Sequence, residues 1–100
     1  MTESQTPPSK RLHALISGRV QGVGFRATTQ QRALKLKLAG WVRNRQDGKV
    51  EVVAEGPPSD LEAFLKFLNE GPRTAHVTQV TVEWSSALGE ATPFAVKPTL

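Results

Sequence analysis

One hundred residues suffice for one domain but not for two stable cores, and 38% hydrophobic with 22% charged residues excludes a disordered chain. The absence of cysteine excludes a disulfide framework, a thiolate metal site and a cysteine nucleophile, and no apolar stretch approaches the roughly 18 residues that span a bilayer. A net charge of +4 suggests an anionic partner as readily as simple solubility, because the basic residues are spread out and form no run.

In chain order, residues 1–10 are polar, contain Pro7-Pro8 and lack the apolar centre of a signal peptide. They read as a disordered lead-in to one domain over residues 11–98, and the expected location is cytoplasmic. Residues 10–18 alternate loosely, with Leu12, Ala14 and Ile16 on one side, and predict a first strand. Three glycines over residues 18–24 argue against a strand interior and predict a turn. Over residues 25–38 two periods compete: Phe25, Thr29, Ala33 and Leu36 fall at helical spacing, whereas Leu34, Leu36 and Leu38 alternate. The surplus of Gln, Arg, Ala, Leu and Lys decides for helix, with Gly40 as its stop.

Residues 41–45 and 50–55 flank Gln46-Asp47-Gly48-Lys49 and predict a hairpin. A two-residue Asp47-Gly48 loop would mix charges into the apolar face. A three-residue loop with Gly48 left-handed pairs Arg45 with Lys49, Asn44 with Val50, Arg43 with Glu51 and Val42 with Val52. That register gathers Val42, Asn44, Val50, Val52 and Ala54 on one face, and is the one expected. Gly56-Pro57-Pro58 breaks the strand. Ser59-Asp60-Leu61-Glu62 predicts a capping box, followed by Leu61, Phe64, Leu65 and Leu68 on one helical face, and Gly71-Pro72 ends that helix. Residues 76–84, with Val80, Val82 and Trp84 alternating, predict a fourth strand, and residues 93–97 at most a short edge strand.

The order β-α-β-β-α-β predicts an α+β fold, the ferredoxin-like sandwich: a four-stranded antiparallel sheet, with a possible short fifth strand, and both helices on one face. In that arrangement Asn44 finishes at the same end of the sheet as residues 18–26, on the helix side and near Arg26.

A strand, a glycine turn and a helix start in succession can bind an anion through unpaired N–H groups. Arg26 strengthens that reading. A cation in the first helical turn opposes the dipole and becomes favourable once an anion lies there. A plain turn with a solvated arginine remains the alternative from these residues alone. Gly22-x-Gly24-x-x-Ala27 matches a loose dinucleotide pattern, but the acid some 20 residues on, Asp47, falls in the hairpin turn. A Walker loop lacks its Gly-Lys-Ser/Thr, and an RNA-recognition module on this topology lacks aromatics on the third strand. His13 and His76 are far apart with no evident third ligand, so no metal site is expected. Trp41 and Trp84 are expected to pack.

At Gly18-Arg19-Val20-Gln21-Gly22-Val23-Gly24-Phe25-Arg26, followed by Gly40-Trp-Val-Arg-Asn44-Arg-Gln-Asp-Gly48-Lys-Val-Glu51, the chain resembles the acylphosphatases. The likeness runs over about residues 11–98. It implies hydrolysis of an acyl phosphate, the mixed anhydride of a carboxylic acid and phosphate, by a monomer without metal or cofactor. Inorganic phosphate would be product and competitor, with neither nucleic acid nor membrane as partner. By resemblance Arg26 binds the phosphoryl group with backbone N–H groups of Val20, Gln21, Gly22, Val23, Gly24 and Phe25, and Asn44 orients the attacking water. Thr28 stands where many relatives carry a bulkier residue, which bears on the wall of the site. A related domain serving carbamoyl-phosphate chemistry in a larger enzyme is the other expectation weighed, and the short chain argues against it.

Overall fold

The computed structural model describes residues 9–100, so the expected lead-in lies outside the described residues up to residue 8. It contains β1 (Lys10–Arg19), α1 (Phe25–Lys35), β2 (Ala39–Asn44), β3 (Val50–Gly56), α2 (Pro58–Glu70), β4 (His76–Ser86) and β5 (Ala95–Val96). The strands lie in the order β4-β1-β3-β2-β5. The first four pair antiparallel, and β5 joins β2 in parallel, so the expected ferredoxin-like sandwich carries a mixed sheet. Alternate residues Leu12, Ala14 and Ile16 of β1 and Val50, Val52 and Ala54 of β3 are fully buried with Phe25 and Ala33 of α1 and Leu61, Phe64 and Leu68 of α2. No helix among the described residues is long and apolar enough to cross a membrane.

Gly18 belongs to β1 and not to the turn. It sits at a register shift against β4 with φ 120°, and a Cβ there would lie 2.1 Å from the His76 carbonyl oxygen. The missing side chain lets β4 close on β1 immediately before the loop.

Helix α1 ends at Lys35, short of the expected Leu38, and Gly40 is not its stop but a β2 residue. The Lys37 N–H donates to Leu34 O (3.1 Å) and the Leu38 N–H to Ala33 O (2.9 Å), which is a Schellman closure with Lys37 left-handed at φ 59°. An L-residue there costs roughly 1–2 kcal/mol of strain, partly offset by the extra unfolded-chain freedom of glycine. Lys37→Gly is therefore expected to raise stability by up to about 1 kcal/mol in urea denaturation.

Helix α2 begins at Pro58, so Ser59 lies inside its first turn and the expected capping box does not form. Pro58 occupies the first helical position, where its missing N–H costs nothing, and Asp60 complements the helix dipole. Its buried face is Leu61, Phe64, Phe67 and Leu68, with Leu65 half-buried. Trp84, expected to pack, is 46% exposed on the edge strand β4, while the Trp41 ring has the Arg43 guanidinium at 4.7 Å and the Lys97 ammonium at 4.8 Å from its centroid.

The connection from β4 to β5 is anchored by one buried carboxylate. Glu55 accepts the N–H groups of Leu88 (2.7 Å), Gly89 (3.0 Å) and Glu90 (2.9 Å) and pairs with Arg11 at 2.9 Å. Burial pushes the Glu55 carboxyl up, but the Leu88 and Glu90 amides, Arg11 and the Gly89 amide outweigh it and hold the carboxyl at about 2. A depressed carboxyl stabilises the fold above its unfolded value near 4.5, and that contribution fades as pH falls towards 2. Glu55→Gln is expected to cost on the order of 3 kcal/mol at neutral pH and to flatten the loss of stability between those two values. Urea denaturation as a function of pH measures both.

Candidate active site

Residues 20–24 reverse the chain between β1 and α1. Gly22 (φ 75°) and Gly24 (φ 81°) both take left-handed backbone, and a Cβ on either would meet nothing within 4 Å. Backbone direction, not crowding, calls for glycine there, and the loop faces open space. Gly24 caps α1 without a side chain, and the first turn holds no acid. The first helical bond runs from the Thr28 N–H to Gly24 O (3.1 Å), and no N–H from Gln21 to Ala27 donates to a backbone acceptor among the described residues. N–H groups without acceptors at the positive end of a helix dipole are chemically suited to an anion.

Arg26 is half-buried in that turn and, unlike Arg11, Arg43 and Arg45, makes no ion pair among the described residues. With Val20, Gly22, Gly24, Gln30 and Val96 it lines a cleft of about 280 Å³. A larger hollow of about 570 Å³ lies on the uncovered sheet face around His13, Trp41 and Arg43. Its charges are already engaged: Glu51 holds His13 and Arg43, each at 2.8 Å.

The β2–β3 turn has the register expected. Asn44 pairs with Val50 and Arg43 with Glu51, the Gly48 N–H donates to Arg45 O (3.1 Å), and Gly48 is left-handed at φ 91°. Asn44 therefore shares the helix-side face with buried Val42, at the end of β2 that adjoins the glycine loop. Its Oδ1 is buried and has no hydrogen-bond partner among the described residues. Two side chains tie the loop to other parts of the fold. The Gln21 carboxamide donates to Arg45 O (2.7 Å) and Lys49 O (2.9 Å), and the Thr74 hydroxyl donates to Val23 O (2.6 Å).

A family model described as acylphosphatase matches residues 12–96. The chain belongs to the acylphosphatase family. An acylphosphatase of Salinibacter ruber is 50% identical over 93 residues, 93% of this chain and 98% of that protein. One of Thermus thermophilus is 56% identical over 79 residues, 79% of this chain and 90% of that one. The crystal structure of acylphosphatase from Bacillus subtilis superposes with a TM-score of 0.85 at 42% identity, covering 88% of this chain and 98% of the other.

In this acylphosphatase-family chain the loop residues Val20, Gln21, Gly22, Val23 and Gly24 lead directly into Phe25 and Arg26, as expected. The Phe25 side chain is buried against Phe67, with ring centroids 6.3 Å apart. Thr28 does not line the cleft: its hydroxyl bonds Gly24 O at 2.9 Å and it lies among Gln31, Arg32 and Lys35. Sequence reasoning missed four side chains that tie the loop or line the cleft: those of Gln21, Gln30, Thr74 and Val96. Gln30 bonds Phe94 O at 3.2 Å beside the cleft wall that Val96 completes. Polar loop residues and a contact 51 positions apart, Thr74 to Val23, follow no period that a sequence displays.

Proposed function

We propose that Arg26 and the backbone amides of Val20, Gln21, Gly22, Val23, Gly24 and Phe25 hold the phosphoryl group of an acyl phosphate, and that Asn44 orients the water that attacks it. The reaction is the one that defines the family, hydrolysis of the carboxyl–phosphate bond to carboxylate and inorganic phosphate. One observation carries the residue assignment: an arginine without an ion pair among the described residues stands in a helix N-terminal turn whose amides are free.

The water oxygen forms a bond to phosphorus as the phosphorus–oxygen bond to the acyl group breaks, and the electron pair leaves on the carboxylate. The water's protons pass to phosphate oxygens and solvent. The departing carboxylate is a weak base, with a pKa of roughly 4–5 like Asp and Glu side chains, and needs no general acid. That agrees with a cleft whose lining among the described residues offers no carboxylate and no imidazole. The chain's contribution is position and charge: guanidinium and amides bear the charge on the phosphoryl oxygens, while the half-buried Asn44 carboxamide at the loop end of β2 offers the water a hydrogen-bonding group.

Residues 11–98 would form the catalytic domain, acting as a monomer in the cytoplasm. The ion-paired outer sheet face supports a monomer, and a cysteine-free chain fits a reducing compartment. Phosphate release from benzoyl phosphate, competed by inorganic phosphate, tests the reading. Hydrolysis at the buffer rate with saturating protein would overturn it.

A further inference from the structure

We infer that the Gln21 side chain is a positioning residue, setting the phosphate loop at the working distance from Asn44. The inference rests on the role given to Asn44 above. The Gln21 Nε2 donates to two carbonyls at once, Arg45 O at 2.7 Å and Lys49 O at 2.9 Å. Both carbonyls flank the three-residue loop 46–48 between β2 and β3, and Arg45 follows Asn44 directly. Each already accepts a turn hydrogen bond, Arg45 O from the Gly48 N–H (3.1 Å) and Lys49 O from the Arg45 N–H (2.9 Å). The turn is therefore closed without Gln21. What the two extra bonds add is a tie between the backbone that presents the phosphate-facing amides and the strand end that carries Asn44.

The tie matches the demands of the reaction. The attacking water and the breaking bond must lie in line on phosphorus, and one partner is held by the loop and the other by Asn44. A carboxamide supplies two N–H donors from one nitrogen, which neither methionine nor an ionised glutamate can do.

The test is steady-state hydrolysis of benzoyl phosphate, with inorganic phosphate inhibition measured alongside. Because misplacement of about 1 Å can cost on the order of 10²-fold, Gln21→Met is expected to lower kcat by roughly 10- to 100-fold, with the phosphate inhibition constant changing less than about threefold. In an Asn44→Ala background the same change should lower kcat by no more than about twofold, since the water being aligned is no longer held. Gln21→Glu adds a pH readout. Facing two carbonyls, its carboxyl favours the protonated form, which can donate one bond. Activity relative to wild type should then rise as pH falls and exceed that of Gln21→Met.

Unchanged kcat in Gln21→Met would overturn the inference. So would phosphate affinity lost in step with kcat, or a full additional loss on top of Asn44→Ala. Should Gln21→Met not fold, Gln21→Asn, too short to reach both carbonyls, carries the same comparison. Wild-type kcat in Asn44→Ala would overturn the Asn44 assignment itself, a result distinct from additivity.

Discussion

Arg26→Ala is expected to abolish both turnover and phosphate binding. The guanidinium is the only cationic side chain lining the cleft among the described residues, and it stands where a helix dipole and free amides already favour an anion. Loss of one neutral donor to a developing oxyanion costs about 10²–10³ in kcat, and a charged, two-pronged donor is stronger, so a fall of at least about 10³-fold is expected. In the free protein Arg26 opposes the dipole of α1. Arg26→Ala should therefore leave stability unchanged or raise it by a few tenths of a kcal/mol. Loss of activity with retained or slightly raised stability separates a binding residue from a structural one. Arg26→Lys keeps the charge without the planar fork and should recover only part of the activity.

Asn44→Ala is expected to separate turnover from binding. Asn44 stands on a different element from the amides and guanidinium, and its buried Oδ1 has no partner to lose among the described residues. Its removal should cut kcat by about 10²–10³-fold through lost orientation of the water. Inhibition by inorganic phosphate should stay within about threefold of wild type, because the groups that bear the phosphate charge are untouched. A parallel loss of phosphate affinity would mean that Asn44 binds the phosphoryl group and does not place the nucleophile.

The regular elements that carry Arg26 and Asn44 were legible in the sequence, for a physical reason. A hairpin register that turns charge into the apolar helix-side core is heavily penalised, so Arg43 and Glu51 share the other face, where they pair, and Val42 and Asn44 the helix side. Chain direction then brought Asn44 to the loop end. The glycine turn was legible as a turn, and the strand over residues 10–18 as a strand, but the reason for glycine at 18, the approach of the His76 carbonyl from another strand, was not. Gly40 looked like a helix stop, but Lys37 accepted the left-handed conformation three residues earlier, and no propensity scale marks lysine for that role. The Ser59–Glu62 pattern suited a capping box, and Pro58 pre-empted it with a fixed φ. The side-chain contacts of Gln21 and Glu55 were not legible at all. Each holds backbone groups far away in sequence, and such partners appear only once the chain has folded.

The division of labour between Arg26 and Asn44 is tested most directly by calorimetric titration of inorganic phosphate into wild type, Arg26→Ala and Asn44→Ala under one buffer condition. Wild type and Asn44→Ala should bind with similar affinity, and Arg26→Ala should show no measurable binding. Phosphate held equally well by Arg26→Ala, or lost from Asn44→Ala, would contradict the account.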